Sequence, residues 1–361
     1  TVLGVAGCTA LLLIGFGIQD SILPIVDKQS EQLTHNDMTI VLSDEKALTM
    51  EQGLASTLDS SSAVRSWGAF YTKSTTLYNE EGGSADVSIV GAEDDARMTE
   101  YFTFRTRVGH DPIPFEEDSV ILTEKTALNL GLSVGDTFYV EAADGSRVPL
   151  TLTGIAENYM FTRLYLSGAQ LESLLGGTPE WNTVYGLTGC ATEAEYNALR
   201  TKLLGCNYVS SVSFTEDTTS MFGSLIGSLN YVVVLIIVCA AALAAVVLYN
   251  LISVNLAERK KELATIKVLG FYDKEVYRYI FREIELLSLI GSGVGLLLGV
   301  PLHRFIILTV EMDQLMFIRT IAPRSYLLAV ALTMLFTVVV CFAMRRHVRH
   351  ISMVESMKAP E

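Results

Sequence analysis

The sequence predicts a membrane protein with four transmembrane α-helices and a large extracellular α+β domain between the first and the second. Three observations predict it. Half of the 361 residues are hydrophobic and the mean hydropathy is +0.38, too apolar for a soluble protein of this size. Four windows free of Asp, Glu, Lys and Arg, at 1–19, 218–257, 286–302 and 325–344, each hold a core of about 20 residues, the length that crosses a bilayer as helix. A soluble core accommodates one such run, not four. The net charge of −14 is concentrated, because residues 24–228 hold 12 Lys and Arg against 29 Asp and Glu. That acidic block is long enough for its own core, and its charge argues against nucleic acid as a partner.

Residues 1–23, "TVLGVAGCTALLLIGFGIQDSIL", form the first span. They lack the basic leader and cleavage pattern of a signal peptide, so the chain is expected to be a piece of a longer protein. The domain, 24–228, mixes strand and helix. "MTIVLS" (38–43) alternates as a strand does, and 45–59 has helical spacing at Leu48, Leu54 and Leu58. Residues 63–78 and 85–92 have strand composition, with "NEEGG" as the turn between them. The block 119–159 reads strand, short helix, strand, a turn at Asp144–Gly145, strand. A strand at 182–189, a helix at 193–204 and a strand at 208–214 close the domain. The outer segments are expected to pair with each other, and the middle block to fold as a separate β-rich insert.

No catalytic or metal-binding constellation stands in this domain. His35 and His110 lie far apart without ligands at metal spacing, and "AEDDA" (92–96) and "EEDS" (116–119) read as solvated loops. Cys190 and Cys206 flank the helix at 193–204. About 12 helical residues span about 18 Å, while a disulfide needs Cα atoms within about 7 Å, so two free thiols are expected.

The second span is 229–254. After it comes "NLAERKKELATIKVLGFYDKEV", within a cytoplasmic segment 255–283. As a helix, it places Leu256, Leu263, Ile266 and Leu269 on one face and Arg259, Lys260, Lys261 and Lys267 on the others. Gly270 stops the helix, and Asp273 caps the next. Such an elbow either lies on anionic lipid or docks in a groove of a cytoplasmic partner. Glu258 and Glu262 among the cations favour a protein. The third span, 284–310, carries Gly291, Gly295 and Gly299, a bare face that admits a close helix neighbour. An outer loop (311–324), the fourth span (325–344) and a basic tail (345–361) follow. The elbow and the tail hold 11 Lys and Arg against 3, Arg304, Arg319 and Arg324, from the outer end of the third span through the outer loop. Cations in short loops mark the cytoplasmic side, so the acidic domain lies outside.

With these residues in view, the chain resembles the FtsX-like/MacB-type permeases, the type VII membrane subunits of mechanotransmitting ABC systems. The likeness runs along essentially the whole chain. It is most specific in "LYNLISVNLAERKKELATIKVLGFYDKEV" (248–276). The first span is similar to that of large Gram-positive permeases, in which a module like this forms the C-terminal half. The resemblance implies that the elbow is the coupling helix seated in an ATPase, with Glu258, Arg259, Glu262, Leu263, Ile266, Leu269 and Gly270 as coupling positions. It implies a MacB-like periplasmic core domain, with a porter-like subdomain and a β-rich insert. It also implies that ATP-driven closure inside works the domain outside. The chain has no Walker A loop, so ATP and Mg are expected on a separate ATPase, with no cofactor, metal or catalytic residue in this chain. The expected partners are that cytoplasmic ABC ATPase, a second permease module (a homodimer mate or the other half of a longer chain), the lipid bilayer and an extracellular protein or peptide. The expected location is a bacterial plasma membrane. The rival reading is a membrane-anchored receptor or scaffold with no ATPase.

Overall fold

The computed structural model describes residues 2–51, 53–142, 145–258 and 272–349. The chain divides into two compact units. One is built from 1–23, 226–310 and 318–361, the other from 24–225 and 311–317.

The first unit is helical. Its elements are α1 (Val2–Ile22), the apolar part of α9 (Thr215–Glu258), α10 (Asp273–Val310) and α11 (Pro323–Arg349). A helix closes its backbone hydrogen bonds internally, which an apolar surrounding demands. Hydroxyl side chains in these helices fold back in the same way: Thr9 onto Val5 O (3.0 Å), Ser292 onto Ser288 O (2.8 Å) and Thr333 onto Ala329 O (2.8 Å). Among the described residues three helices are long and apolar enough to cross a membrane, at Val2–Leu33, Phe281–Val310 and Pro323–Ala343. A shorter apolar stretch, Val234–Asn250, lies in α9. Leu12, Leu13, Ala240 and Ala329, from α1, α9 and α11, form a core against which Leu296 of α10 packs.

The second unit is a mixed sheet with helices on it. Its strands are β1 (Met38–Leu42), β2 (Val64–Tyr78), β3 (Ser84–Ala92), β4 (Val120–Thr123), β5 (Thr137–Glu141), β6 (Arg147–Thr151), β7 (Gly154–Ala156), β8 (Arg163–Leu166), β9 (Thr183–Thr188) and β10 (Val209–Phe214). They run in the order β10-β1-β9-β2-β3-β8-β4-β7, with the β5–β6 hairpin attached to the end of β2. The outer segments do pair: β1 lies antiparallel to both β9 and β10. The middle block, expected to fold separately, instead continues the same sheet. β3 joins β8 in parallel, but only from Ser88–Arg163 to Val90–Tyr165. The 15-residue β2 explains the continuity, because its first half pairs β9 and its second half pairs β3.

Helices α2 (Ile25–Lys28), α3 (Lys46–Thr49), α4 (Leu54–Asp59), α5 (Asp95–Tyr101), α6 (Glu124–Leu130), α7 (Gly168–Leu175) and α8 (Glu193–Leu204) complete the unit. A π turn, Gln29–Leu33, follows α2. The helix expected at 45–59 is two short ones, broken before Gly53, where a Cβ would sit 2.5 Å from Ala47 O. "AEDDA" is a helix start rather than a loop: Asp94 caps α5 by accepting from Ala96 N (3.0 Å). Cys190 and Cys206 are free thiols on either side of α8, both packed against the same core cluster.

Candidate functional site

The segment expected to couple to an ATPase follows directly on α9. That helix begins at Thr215, next to the last residue of β10, and ends at Glu258, which is exposed. Arg259, Glu262, Leu263, Ile266, Leu269 and Gly270 lie outside the described residues. The chain is described again from Tyr272, whose N–H donates to Glu275 Oε2 (3.0 Å). That bond is half of a capping box, and it fixes the first turn of α10.

The glycines expected to pack helices lie on α10 against α1. A Cβ at Gly295 would meet Ala6 O at 2.6 Å and Thr9 Cβ at 2.7 Å. One at Gly291 would meet Val5 Cβ at 2.8 Å, and one at Gly299 would meet Leu13 Cδ2 at 2.9 Å. Gly293, on another face, meets nothing within 4 Å. Residue numbers rise together on the two helices, so α1 and α10 run in the same direction.

Polar groups tie these helices further. Thr9 Oγ1 lies 3.1 Å from Thr333 Oγ1 on α11 and 3.4 Å from Ser292 Oγ on α10. Ser21 Oγ lies 3.1 Å from Nε2 of the buried His303. Asp20 caps α11, accepting from Ala322 N (3.0 Å), Ser325 Oγ (2.5 Å) and Arg324 Nη2 (3.2 Å). The "PRS" at 323–325 is a helix-start signal, but its capping partner is some three hundred residues away in the chain, beyond any local pattern.

In the second unit two clusters hold the chain segments that enter it. The first joins the entry and exit strands. Met38 pairs with Phe214, and Thr215 N donates to Asp37 O (2.8 Å). Thr215 Oγ1 also donates to Asn36 O, and Asp37 Oδ2 accepts from Thr188 N (2.8 Å). The second cluster is a buried carboxylate. Glu157, 2% exposed, accepts from Arg105 Nε (2.6 Å) and Tyr159 OH (2.5 Å), with His110 Nδ1 at 3.3 Å. Arg105 reaches on to Gln32 Oε1 (2.9 Å) in the π turn. Burial, and then the bond to Glu157, hold the Tyr159 hydroxyl well above the usual tyrosine range. Among the described residues no three His, Cys, Asp or Glu side chains are grouped as metal ligands.

Long apolar helices and a mixed-sheet domain in one chain define a membrane-embedded protein with a folded domain. Two family models divide the chain between them, the MacB-like periplasmic core domain over residues 1–201 and the FtsX-like permease C-terminal over 234–353. The chain belongs to the FtsX-like/MacB-type ABC transporter permeases. Permeases of this family work with a cytoplasmic ABC ATPase and are not themselves the catalytic subunit. Solved structures similar to the chain include the periplasmic region of MacB from Actinobacillus actinomycetemcomitans, 14% identical, covering 52% of this chain and 93% of that one at a TM-score of 0.32. Another is the extracellular domain of the noncanonic ABC-type transporter YknZ from Gram-positive bacteria, 16% identical, covering 50% and 99% at a TM-score of 0.31. No curated protein matches the chain.

Proposed function

We propose that the chain is a bacterial plasma-membrane permease subunit that relays ATP-driven motion of a separate ATPase to an extracellular domain. It spans the bilayer four times, through α1, α9, α10 and α11, with residues 24–228 outside and 255–283 inside. The ATPase docks on the helix around Glu258, Arg259, Glu262, Leu263, Ile266, Leu269 and Gly270. ATP and Mg stay on that partner, and a second permease module completes the assembly. The outer work is lipoprotein or peptide handling, resistance to antimicrobial peptides, or control of a cell-wall hydrolase.

One observation carries the reading: α9 is an unbroken helix of 44 residues from β10 to Glu258. At 1.5 Å per residue it is about 66 Å long, roughly twice the bilayer core. The helix leads from the last strand of the domain to Glu258, the first residue of the proposed coupling motif, which supports a relay of displacement along it. The parallel sense of α1 and α10 fits two outward spans with the coupling segment entering the second from inside. The excess of cations in 258–283 supports the same sidedness.

Charge reversal at the coupling helix tests the reading. In the full chain, Arg259→Glu with Glu262→Arg is expected to lower co-purification of the cognate ATPase at least tenfold while membrane insertion is retained. ATPase recovery at the wild-type level contradicts docking at this helix. Absence of any ATPase from the wild-type preparation favours the receptor or scaffold reading.

A further inference from the structure

The segment 311–317 connects α10 to the chain leading into α11, yet it belongs to the second unit. Met316 N donates to Tyr159 O (3.0 Å) and Phe161 N to Gln314 O (3.0 Å), which sets Leu315 opposite Met160 as an antiparallel bridge. Glu311 Oε2 pairs with Lys125 Nζ of α6 at 3.0 Å, with the two side chains 2% and 13% exposed. Its other oxygen accepts from Phe317 N (2.8 Å), closing the segment on itself. Met316 and Phe317 are buried.

The receiving loop is itself pinned from the far side. Gln29 Oε1 accepts from Tyr159 N (2.9 Å) and Met160 N (3.2 Å), while Gln29 Nε2 donates to Asn158 Oδ1 (2.8 Å). Asn158 Nδ2 in turn donates to Met160 O (2.7 Å) and Phe161 O (2.6 Å). Phe161 is held at a φ of +66°, a conformation that a bulky residue keeps only where its surroundings impose it. A buried ion pair and a backbone bridge on a pinned loop make a specific attachment, not a loop resting on a surface.

We propose that residues 311–317 are a strap, a third anchor through which movement of α10 and α11 enters the domain alongside the two stems. The stems, entering at Asp37 and leaving at Thr215, hold β1 and β10 at one end of the strand order, and the entry stem also grips the loop before β8 through Gln29. The strap holds α6 and the loop before β8, toward the other end. Between the two anchors the sheet narrows to the three residue pairs of β3 with β8 and the two of β2 with β5. Unequal displacement of the exit stem and the strap therefore loads that seam, and the two halves of the domain shift about it. This rests on the transmission reading above.

Two measurements on the full chain decide it. A bridge of this pattern is a non-hydrogen-bonded pair with Cα atoms about 4.5 Å apart, within disulfide range. With the five native cysteines replaced by serine, Met160→Cys with Leu315→Cys is expected to cross-link in native membranes under mild oxidant. The control is Met38→Cys with Phe214→Cys across the stems. A strap pair that stays unlinked while the control links overturns the anchor.

The second measurement is the distance between spin labels at the exposed Val41 and Leu128, in lipid nanodiscs with the cognate ATPase. Trapping with ADP–vanadate is expected to shift it by on the order of 3 Å. Replacing 311–317 by a Gly/Ser linker of equal length should at least halve the shift. An undiminished shift overturns the strap as a route of force. No shift in the intact chain overturns the transmission reading instead, and the cross-link still decides whether the strap is anchored.

Discussion

At the scale of single residues, the most constrained chemistry in the second unit surrounds Glu157. A buried carboxylate is costly unless its oxygens are satisfied, and Arg105 and Tyr159 supply the bonds. Because burial and Glu157 raise the Tyr159 hydroxyl above its ordinary value of 10.0, the folded chain keeps a proton that the unfolded chain loses above about pH 10. The resulting stabilisation is complete below that pH and is lost as the pH climbs toward the folded value. Tyr159→Phe is expected to flatten the alkaline fall in thermal stability between about pH 10 and about pH 11, at a cost near neutrality of about 1–2 kcal/mol for the hydrogen bond lost from Glu157. An unchanged alkaline slope contradicts this. Tyr71, Tyr101 and Tyr185 are shifted the same way by burial, so the fall is reduced rather than abolished. None of this was legible in the sequence, where "IAENYM" (155–160) shows only that a Glu and a Tyr share a strand-like stretch. Arg105 is some fifty residues away, and only the fold brings it close.

Elements were legible where the pattern is long and local. The apolar windows mark α1, α10 and α11 because hydropathy alone selects a helix of that length. Helix α8 was legible through its spacing, and its start is a full capping box in which Thr192 and Glu195 exchange bonds. Thr192→Ala is expected to lower stability by about 1 kcal/mol, read in thermal unfolding. Helix α5 was not legible, since its cap sits in an acidic run that resembles a solvated loop. Strands β7 and β8 span three and four residues, too few for an alternation to stand out. The glycine face of α10 makes a sharper prediction. A methyl group at Gly295 meets backbone, which does not yield, whereas one at Gly293 meets open space. Gly295→Ala is expected to destabilise the helical unit by about 1–3 kcal/mol in detergent unfolding, as overpacking does. Gly293→Ala should leave it unchanged, and equal behaviour of the two variants contradicts the packing.

At the scale of the whole molecule, the proposed relay runs from a cytoplasmic coupling helix along α9 to an outer domain. A membrane-embedded protein with a folded domain was legible because hydropathy is a bulk property of long windows. The continuity of the ten-stranded sheet was not, because pairing such as β3 with β8 depends on contacts far apart in sequence. The attachment of 311–317 was hidden for the same reason, since a short segment between two apolar windows looks like any loop. Force relay across a bilayer requires the coupling helix and the domain to be on opposite sides. The most direct measurement is labelling of single cysteines at Leu128 and at Lys260, in a chain freed of its native thiols, by a membrane-impermeant maleimide on intact and permeabilised cells. The account predicts that Leu128→Cys is modified in intact cells and Lys260→Cys only after permeabilisation. Modification of Lys260→Cys from outside would contradict it.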